Sequence, residues 1–296
     1  MGGLTRVGDW FIAVYDRSDD GATTIASLVS LAADGTLLAG PVDLPAALPI
    51  SMGMGFAPSG GTIGVLWWEA SAWSGVPRTE HVTLVSPELS ILATTDLPMQ
   101  AGGFIADPPG WALTLFEPAT VPGGDVRSYF ARLDPAGVLA GAPTLVAQGP
   151  GLTVPVLSRF PAGYLVTWLV PIGVPDWAYD SLMTWLDPTG TVVARDIPLA
   201  FSPEEAGAPI WDGHALDFVV RGGDWSDNLN PHVWLSLWRW GSDLAPLGPP
   251  ELIADPAGGG GVLGGGRLLV LYWDGRCVIG CPGPIAMTIA RFTCAP

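Results

Sequence analysis

Short, almost continuously apolar runs recur along the chain, separated by segments rich in glycine and proline. Examples are FIAVY at 11–15, IGVLWW at 63–68 and LLVLYW at 268–273. Runs of this length without polar alternation are typical of strands that are covered on both faces. The chain also contains 40 Gly and 30 Pro, which interrupt helices, and 14 Trp, which favour pleated, half-buried surfaces. The pattern therefore predicts an all-β protein.

The apolar runs belong to a unit that recurs six times. One marker, the residue that ends the second apolar run, falls at Leu31, Val85, Leu133, Leu186, Trp238 and Phe292. A second marker, the residue that closes the first run, falls at Asp16, Glu69, Glu117, Val170, Arg221 and Asp274. Successive markers lie 48 to 54 residues apart, and both sets share the same short second interval. Each unit divides into four short strands with turns between them.

A four-stranded unit of about 50 residues, repeated along the whole chain, resembles the β-propeller superfamily. The resemblance is one of architecture, because neither a WD dipeptide in register nor an Asp-box is present. It implies one all-β domain over residues 1–296, a six-bladed β-propeller of mostly four-stranded antiparallel blades. The blades fall at about 1–48, 49–98, 99–149, 150–200, 201–254 and 255–296. An up-and-down barrel or a β-sandwich is the alternative fold, and each would need longer alternating strands and less regular spacing.

The motifs LDPAG at 133–137 and LDPTG at 186–190 mark equivalent places in two units. Pro presets a negative φ and Gly tolerates a positive one, so each motif predicts a tight turn between a third and a fourth strand.

The amino-acid composition restricts the classes of binding partner and the location that we expect for this protein. The net charge is −16 and all 12 basic residues are Arg, which disfavours nucleic acid and anionic membrane as partners. The charge-free stretch 44–68 is broken by three prolines and cannot form a good spanning helix. The N-terminus lacks a charged segment followed by a hydrophobic run, and we expect a secreted or cell-surface protein whose signal segment has been trimmed.

The long second-to-third-strand loops, together with the crossings between units, predict one recognition side, called here the long-loop face. Aromatic rings beside carboxylates suit sugars, whose CH faces stack while hydroxyls donate hydrogen bonds. The candidate ligand-binding residues are Trp73, Asp176, Trp177, Tyr179, Trp225 and Asp227 in these loops, with Glu204 and Glu205 where the fifth unit begins. For any single one of these residues, a plain structural role is the alternative. The acids that end second strands, Asp16, Glu69, Glu117 and Asp274, are expected to form a surface rim of this face.

The chain carries no HExxH, GxSxG, P-loop or paired CxxC motif, so no catalytic residue is assigned. No metal or cofactor is expected, since His81 and His232 fall in opposite units. We expect a non-catalytic binding or scaffold module with a carbohydrate or protein ligand. The alternative is a propeller glycan hydrolase or lyase with its site at the mouth of the central channel. The oligomeric state stays open.

Three cysteines lie near the C-terminus. Cys277 and Cys281 share a loop and are predicted to form a disulfide, whereas Cys294 lies past the opposite end of the last strand and is predicted to be free. The sixth unit stops after its third strand, so we expect a three-stranded last blade, whose fourth strand either comes from residues upstream of Met1 or is absent.

Overall fold

The computed structural model describes residues 3–18, 23–71, 78–121, 124–150, 152, 155–171, 179–199, 205–206, 209–224, 232–254, 257–263, 268–274 and 287–292. Every regular element in these ranges is a strand, which confirms the all-β prediction. The described residues accordingly include no helix of the length and apolarity needed to cross a membrane. The disulfide predicted between Cys277 and Cys281, and the free Cys294, fall outside them.

The strands form separate antiparallel sheets in which consecutive strands pair. The first sheet contains β1 (Gly3–Val7), β2 (Trp10–Arg17), β3 (Ile25–Ala32) and β4 (Leu37–Asp43). The second contains β5 (Ile50–Ser59), β6 (Thr62–Ala70), β7 (Thr79–Val85) and β8 (Ile91–Asp96). The third contains β9 (Gln100–Asp107), β10 (Gly110–Glu117), β11 (Asp125–Leu133) and β12 (Thr144–Pro150).

The later sheets follow the same plan. One contains β13 (Val156–Phe160), β14 (Gly163–Pro171), β15 (Tyr179–Leu186) and β16 (Val192–Pro198). The next sheet contains β17 (Glu205–Ala206), β18 (Ile210–Trp211), β19 (Leu216–Asp224), β20 (His232–Trp240) and β21 (Glu251–Ala254). The first strand of this sheet is divided into two pieces, β17 and β18, and both of them pair with β19. The described part of the last sheet has three strands, β22 (Ala257–Leu263), β23 (Leu268–Asp274) and β24 (Met287–Phe292).

The chain divides into two compact units. The first comprises residues 1–120 and 126–145, and the second comprises residues 121–125 and 146–296. In the first unit the β5–β8 sheet shares one apolar cluster with the β1–β4 sheet and another with the β9–β12 sheet. In the second unit a cluster joins the β13–β16 sheet to the β17–β21 sheet. The prediction of one domain over 1–296 stays a prediction.

The two LDPxG turns connect third to fourth strands as predicted. Asp134 Oδ1 accepts the N–H groups of Ala136 and Val138, at 2.9 and 3.0 Å. Gly137 supplies the positive φ of 79° that closes this turn. Asp187 repeats the arrangement, and its hydrogen bonds from Thr189 and Thr191 lower the pKa of its carboxyl. The turns are therefore structural elements stabilised by an aspartate at a fixed place.

The second strands β6, β10 and β14 are buried over most of their length, as their apolar runs predict, whereas β2 is buried only at Ile12 and Val14, so the prediction of cover on both faces is wrong for FIAVY. β6 is buried from Ile63 to Trp67. Gly64 on this strand lies against the β9–β12 sheet, where an added Cβ would stand 2.7 Å from Phe104 Cζ and 2.8 Å from Trp111 Nε1. The same indole nitrogen donates a 2.8 Å hydrogen bond to the carbonyl of Ala57, on the neighbouring sheet. Gly64 thus lets the indole reach its partner.

This close approach makes Gly64 a test of the sheet packing. We expect Gly64→Ala to lower the free energy of unfolding by about 1–3 kcal/mol, because the new methyl group pushes the Trp111 ring away. Gly55→Ala is the matched control, since an added Cβ there meets nothing within 4 Å. Chemical denaturation of both variants makes the comparison, and equal stabilities would contradict the packing described here.

Candidate functional site

A cavity of about 350 Å³ lies in the first unit, between the β5–β8 and β9–β12 sheets. Its wall comes from the start of β7, the β8–β9 connection and the end of β10. These are the strand ends that carry the long second-to-third loops, the face predicted from sequence for recognition. The lining is half polar and half apolar, with Arg78, Thr79, Glu80, Gln100 and Glu117 beside Leu97, Pro98, Met99, Phe116 and Pro118.

Strand alternation decides which acids reach this cavity. Glu80 and its neighbour His81 point to opposite faces of β7, because successive side chains of a strand alternate. Glu80 lines the cavity, whereas the His81 ring stacks on Trp67, 4.3 Å between centroids. Trp67 belongs to the apolar cluster shared with the β1–β4 sheet. One strand therefore presents an acid to one neighbouring sheet and an imidazole to the other.

The Glu80 carboxyl is almost fully buried, with 1% of its side chain exposed. Arg78 Nε stands 2.6 Å from Oε1, an ion-pair distance, while the angle is not that of a hydrogen bond. Loss of hydration raises the pKa of Glu80 to about 7, and the Arg78 charge works in the opposite direction. The backbone is held by the N–H of Leu97, which donates to the Glu80 carbonyl. Glu80 is thus a carboxyl group that takes up and releases a proton near neutral pH.

Glu117 ends β10 in a different environment. Its side chain is 48% exposed. The Tyr129 hydroxyl donates a 3.0 Å hydrogen bond to Oε2, and Arg127 Nη1 lies 3.8 Å from the same atom. One cavity therefore combines a buried, protonatable carboxyl with a solvated carboxylate.

On the opposite face of β7, His81 lies between two carboxylates. Nδ1 is 2.9 Å from Asp96 Oδ1, and Nε2 is 3.4 Å from Glu69 Oε1. The other Glu69 oxygen accepts the N–H groups of Ala47 and Leu48, which cross from the β1–β4 sheet. The expectation that acids at second-strand ends form a surface rim is therefore wrong for Glu69, which is buried because it satisfies these two donors.

A second buried acid lies in the other unit. Asp217, on β19, stands 3.3 Å from Arg239 Nε and is fully buried. Loss of hydration raises its pKa to about 6, with Asp212 adding to the rise and Arg239 opposing it. Asp212 accepts the N–H of His214 in the tight turn between β18 and β19, so this acid lies at the short-turn edge of its sheet. The described residues contain no group of three or more acids, His or Cys arranged to hold a metal ion.

The binding residues predicted from sequence stay a prediction. Six of them lie outside the described residues, namely Trp73, Asp176, Trp177, Glu204, Trp225 and Asp227. Tyr179 begins β15, opposite Pro171, and Glu205 begins β17, opposite Arg221. Neither lines the cavity between the β5–β8 and β9–β12 sheets.

Sequence reasoning missed Arg78, Glu80 and Gln100, and assigned Glu117 only to a surface rim. One signal was available for Glu80. It is a charged residue in the strand TEHVTLV, which is otherwise buried from residue 80 to 85. Buried carboxylates are rare unless they are paired with a cation. A Glu in such a strand, two residues after an Arg, therefore indicates a buried ion pair and a candidate functional site.

Comparison with family models finds no match, and a search of curated proteins finds none either. Solved structures do resemble the chain. A Trypanosoma rangeli sialidase has a TM-score of 0.51 and 10% identity, over 91% of this chain and 51% of the sialidase. An exo-1,5-α-L-arabinanase from a bovine ruminal metagenomic library has a TM-score of 0.44 and 11% identity, over 85% and 95% of the two chains. A Bacillus licheniformis GH43 endo-arabinanase has a TM-score of 0.41 and 11% identity, over 82% and 94%.

At these identities the likeness concerns the fold alone, and this chain spans about half the length of the sialidase. The sialidase is a β-propeller, so the comparison with it supports a β-propeller fold. The expectation of a non-catalytic binding or scaffold module is corrected here. The sialidase, which matches the chain with a TM-score of 0.51, is an enzyme by its name, and this fits the alternative of a propeller glycan hydrolase better.

The raised pKa of Glu80 makes stability depend on pH. Below pH 4.5 this carboxyl is protonated in both folded and unfolded chains, and its contribution to stability is fully present. As pH rises through about 7, ionisation in the buried site removes that contribution. We expect the free energy of unfolding of Glu80→Gln, relative to that of the wild type, to rise by up to roughly 3 kcal/mol between pH 4 and 8.

Asp217→Asn is the matched control. Its stability relative to the wild type should stop rising near pH 6, about one pH unit below the corresponding point for Glu80→Gln, because the pKa of Asp217 is about 6. Urea denaturation across the pH range measures both curves. A Glu80→Gln curve parallel to the wild type would show that burial does not raise the pKa of Glu80.

Proposed function

We propose that this chain is a glycan hydrolase of β-propeller fold that acts in the cavity between the β5–β8 and β9–β12 sheets. The observation that carries the proposal is the pair of carboxyl groups in this cavity, Glu80 buried and Glu117 half exposed. Glycoside hydrolysis uses such a pair, one carboxylic acid to protonate the leaving oxygen and one carboxylate to act at the anomeric carbon. The site thus lies between two sheets, and not at the channel mouth expected from sequence.

Glu80 is the proton donor in this scheme. A pKa of about 7 keeps much of it protonated at neutral pH, as a general acid requires. Both carboxyl oxygens are covered in the structure. The donor must therefore be uncovered when substrate enters the cavity.

Glu117 is the second carboxylate. Its exposed side chain, held by Tyr129, is placed to attack the anomeric carbon or to activate a water molecule. The separation of the two carboxyl groups in the substrate complex selects between these routes, about 5–5.5 Å for attack and 6.5–9.5 Å for a water.

The remaining lining suits a sugar ring. Pro98, Met99 and Phe116 offer apolar surface to its CH faces, while Thr79 and Gln100 offer hydrogen-bonding groups to its hydroxyls. We include in the proposal further substrate contacts from the long-loop face, through Trp73, Asp176, Trp177, Tyr179, Trp225, Asp227, Glu204 and Glu205.

The proposal also covers architecture and location. We propose that the sheets are the blades of a six-bladed ring, the last one three-stranded in this chain, and that the protein acts outside the cell. The repeat spacing supports six blades, and the composition and the carbohydrate-acting proteins of similar fold support the location.

Hydrolysis of a panel of arabinans and aryl glycosides, including sialosides, tests the function. We expect Glu80→Gln and Glu117→Gln each to lower kcat at least about 100-fold, because each removes one half of the acid–base chemistry. Glu88→Gln, in the exposed turn between β7 and β8, is the matched control and should keep wild-type activity. Wild-type turnover equal to that of the Glu80→Gln, Glu117→Gln double variant on every substrate would overturn the proposal.

A further inference from the structure

We propose that Arg78, held over the indole of Trp68, is the positioning residue that fixes the Glu80 carboxyl in the wall of the cavity. The catalytic meaning of this inference rests on the function proposed above, whereas its structural content does not.

Strand geometry places the three side chains together. Arg78 and Glu80 are two residues apart, so they lie on the same face at the start of β7. Trp68 on β6 is directly opposite Glu80 in the pairing of the two strands. The Arg78 guanidinium carbon lies 5.4 Å from the centre of the Trp68 ring, within range of a cation–π contact.

The indole limits where the guanidinium can go. With its guanidinium carbon 5.4 Å from the ring centre, Arg78 places Nε 2.6 Å from Glu80 Oε1. A long Arg side chain otherwise samples many rotamers, and the aromatic contact removes much of that freedom. Trp68 thereby acts on Glu80 through Arg78, without contributing a charge of its own.

The charges of the cavity lining explain why the position of Arg78 matters for Glu80. The charged residues in its lining are Arg78 and Glu80 on the β7 side and Glu117 on the β10 side. Among the lining residues that the structure describes, Arg78 is the single cation, so it offsets the burial of Glu80 and the presence of a second carboxylate. Without it, Glu80 would stay protonated to higher pH and would lose its ion-pair partner.

The test measures the titration of Glu80 directly, by ¹³C NMR of labelled glutamate carboxyls, with the Glu80 signal identified by its loss in Glu80→Gln. We expect Arg78→Met to raise the titration midpoint by about one unit or more, since a cation within ion-pair distance is removed. We expect Trp68→Leu to raise it in the same direction, although Arg78 is still present. Arg78→Lys should give an intermediate midpoint, because it keeps the charge and loses the planar contact with the ring.

Arg6→Met is the control, because it removes the same charge at an exposed position and should leave the midpoint unchanged. An Arg78→Met midpoint equal to that of the wild type would overturn the inference, as would an equal shift in Arg6→Met. If Arg78→Met does not fold, the midpoints of Trp68→Leu and Arg78→Lys decide the matter in the same way. An unshifted midpoint in both would overturn it.

Kinetics separate this inference from the proposed function. If Glu80 donates the proton, the high-pH limb of kcat should move upward with the midpoint in Arg78→Met and Trp68→Leu. Absence of any hydrolysis would remove the proposed function, and the titration midpoints would still decide whether Arg78 positions Glu80.

Discussion

The close packing of a second strand against the next sheet is the constraint on which the first unit depends. Gly64 has no side chain because the Trp111 indole occupies that space and bonds to the Ala57 carbonyl. The same approach of the two sheets brings the start of β7 near the end of β10, where the cavity forms. It also removes water from Glu80, which raises the cost of ionising that carboxyl.

Much of this fold could be predicted from the sequence, because the patterns that specify its strands and turns involve residues close together in the chain. The continuous apolar run at 63–67 predicts a strand covered on both faces, and the structure buries it. The LDPxG motifs predict turns that depend on five consecutive residues, and Asp134 and Asp187 stabilise them as expected. Turn geometry of this kind is set by neighbours along the chain, so no knowledge of the tertiary contacts is needed.

The candidate site could not be predicted in the same way, because its members come from three segments of two sheets. Glu69 and Glu117 hold equivalent places in the repeat, and sequence treats them alike. The structure buries Glu69 against the Ala47 and Leu48 amides, while Glu117 stays half exposed beside Tyr129. What buries Glu69 is the chain crossing that precedes its sheet and carries Ala47 and Leu48, and the path of that crossing is a tertiary property. Equivalent position in a repeat therefore fixes the backbone, and leaves the environment of each side chain to its neighbours.

A buried acid does not by itself indicate chemistry, and the contrast between Glu80 and Asp217 shows what else is needed. Both have a raised pKa caused mainly by burial, and both face one Arg. Asp217 lies beside a tight turn, and its acidic neighbour Asp212 is engaged with the backbone of that turn. Glu80 lies in the wall of a cavity whose opposite side carries Glu117, a carboxylate that remains accessible to solvent. Reaction at a glycosidic bond requires two carboxyl groups on either side of a space that a sugar can enter. In the described residues Glu80 and Glu117 line one cavity, whereas Asp217 lies beside a tight turn, so the shared position of two acids in a cavity, more than a raised pKa alone, is what favours this site.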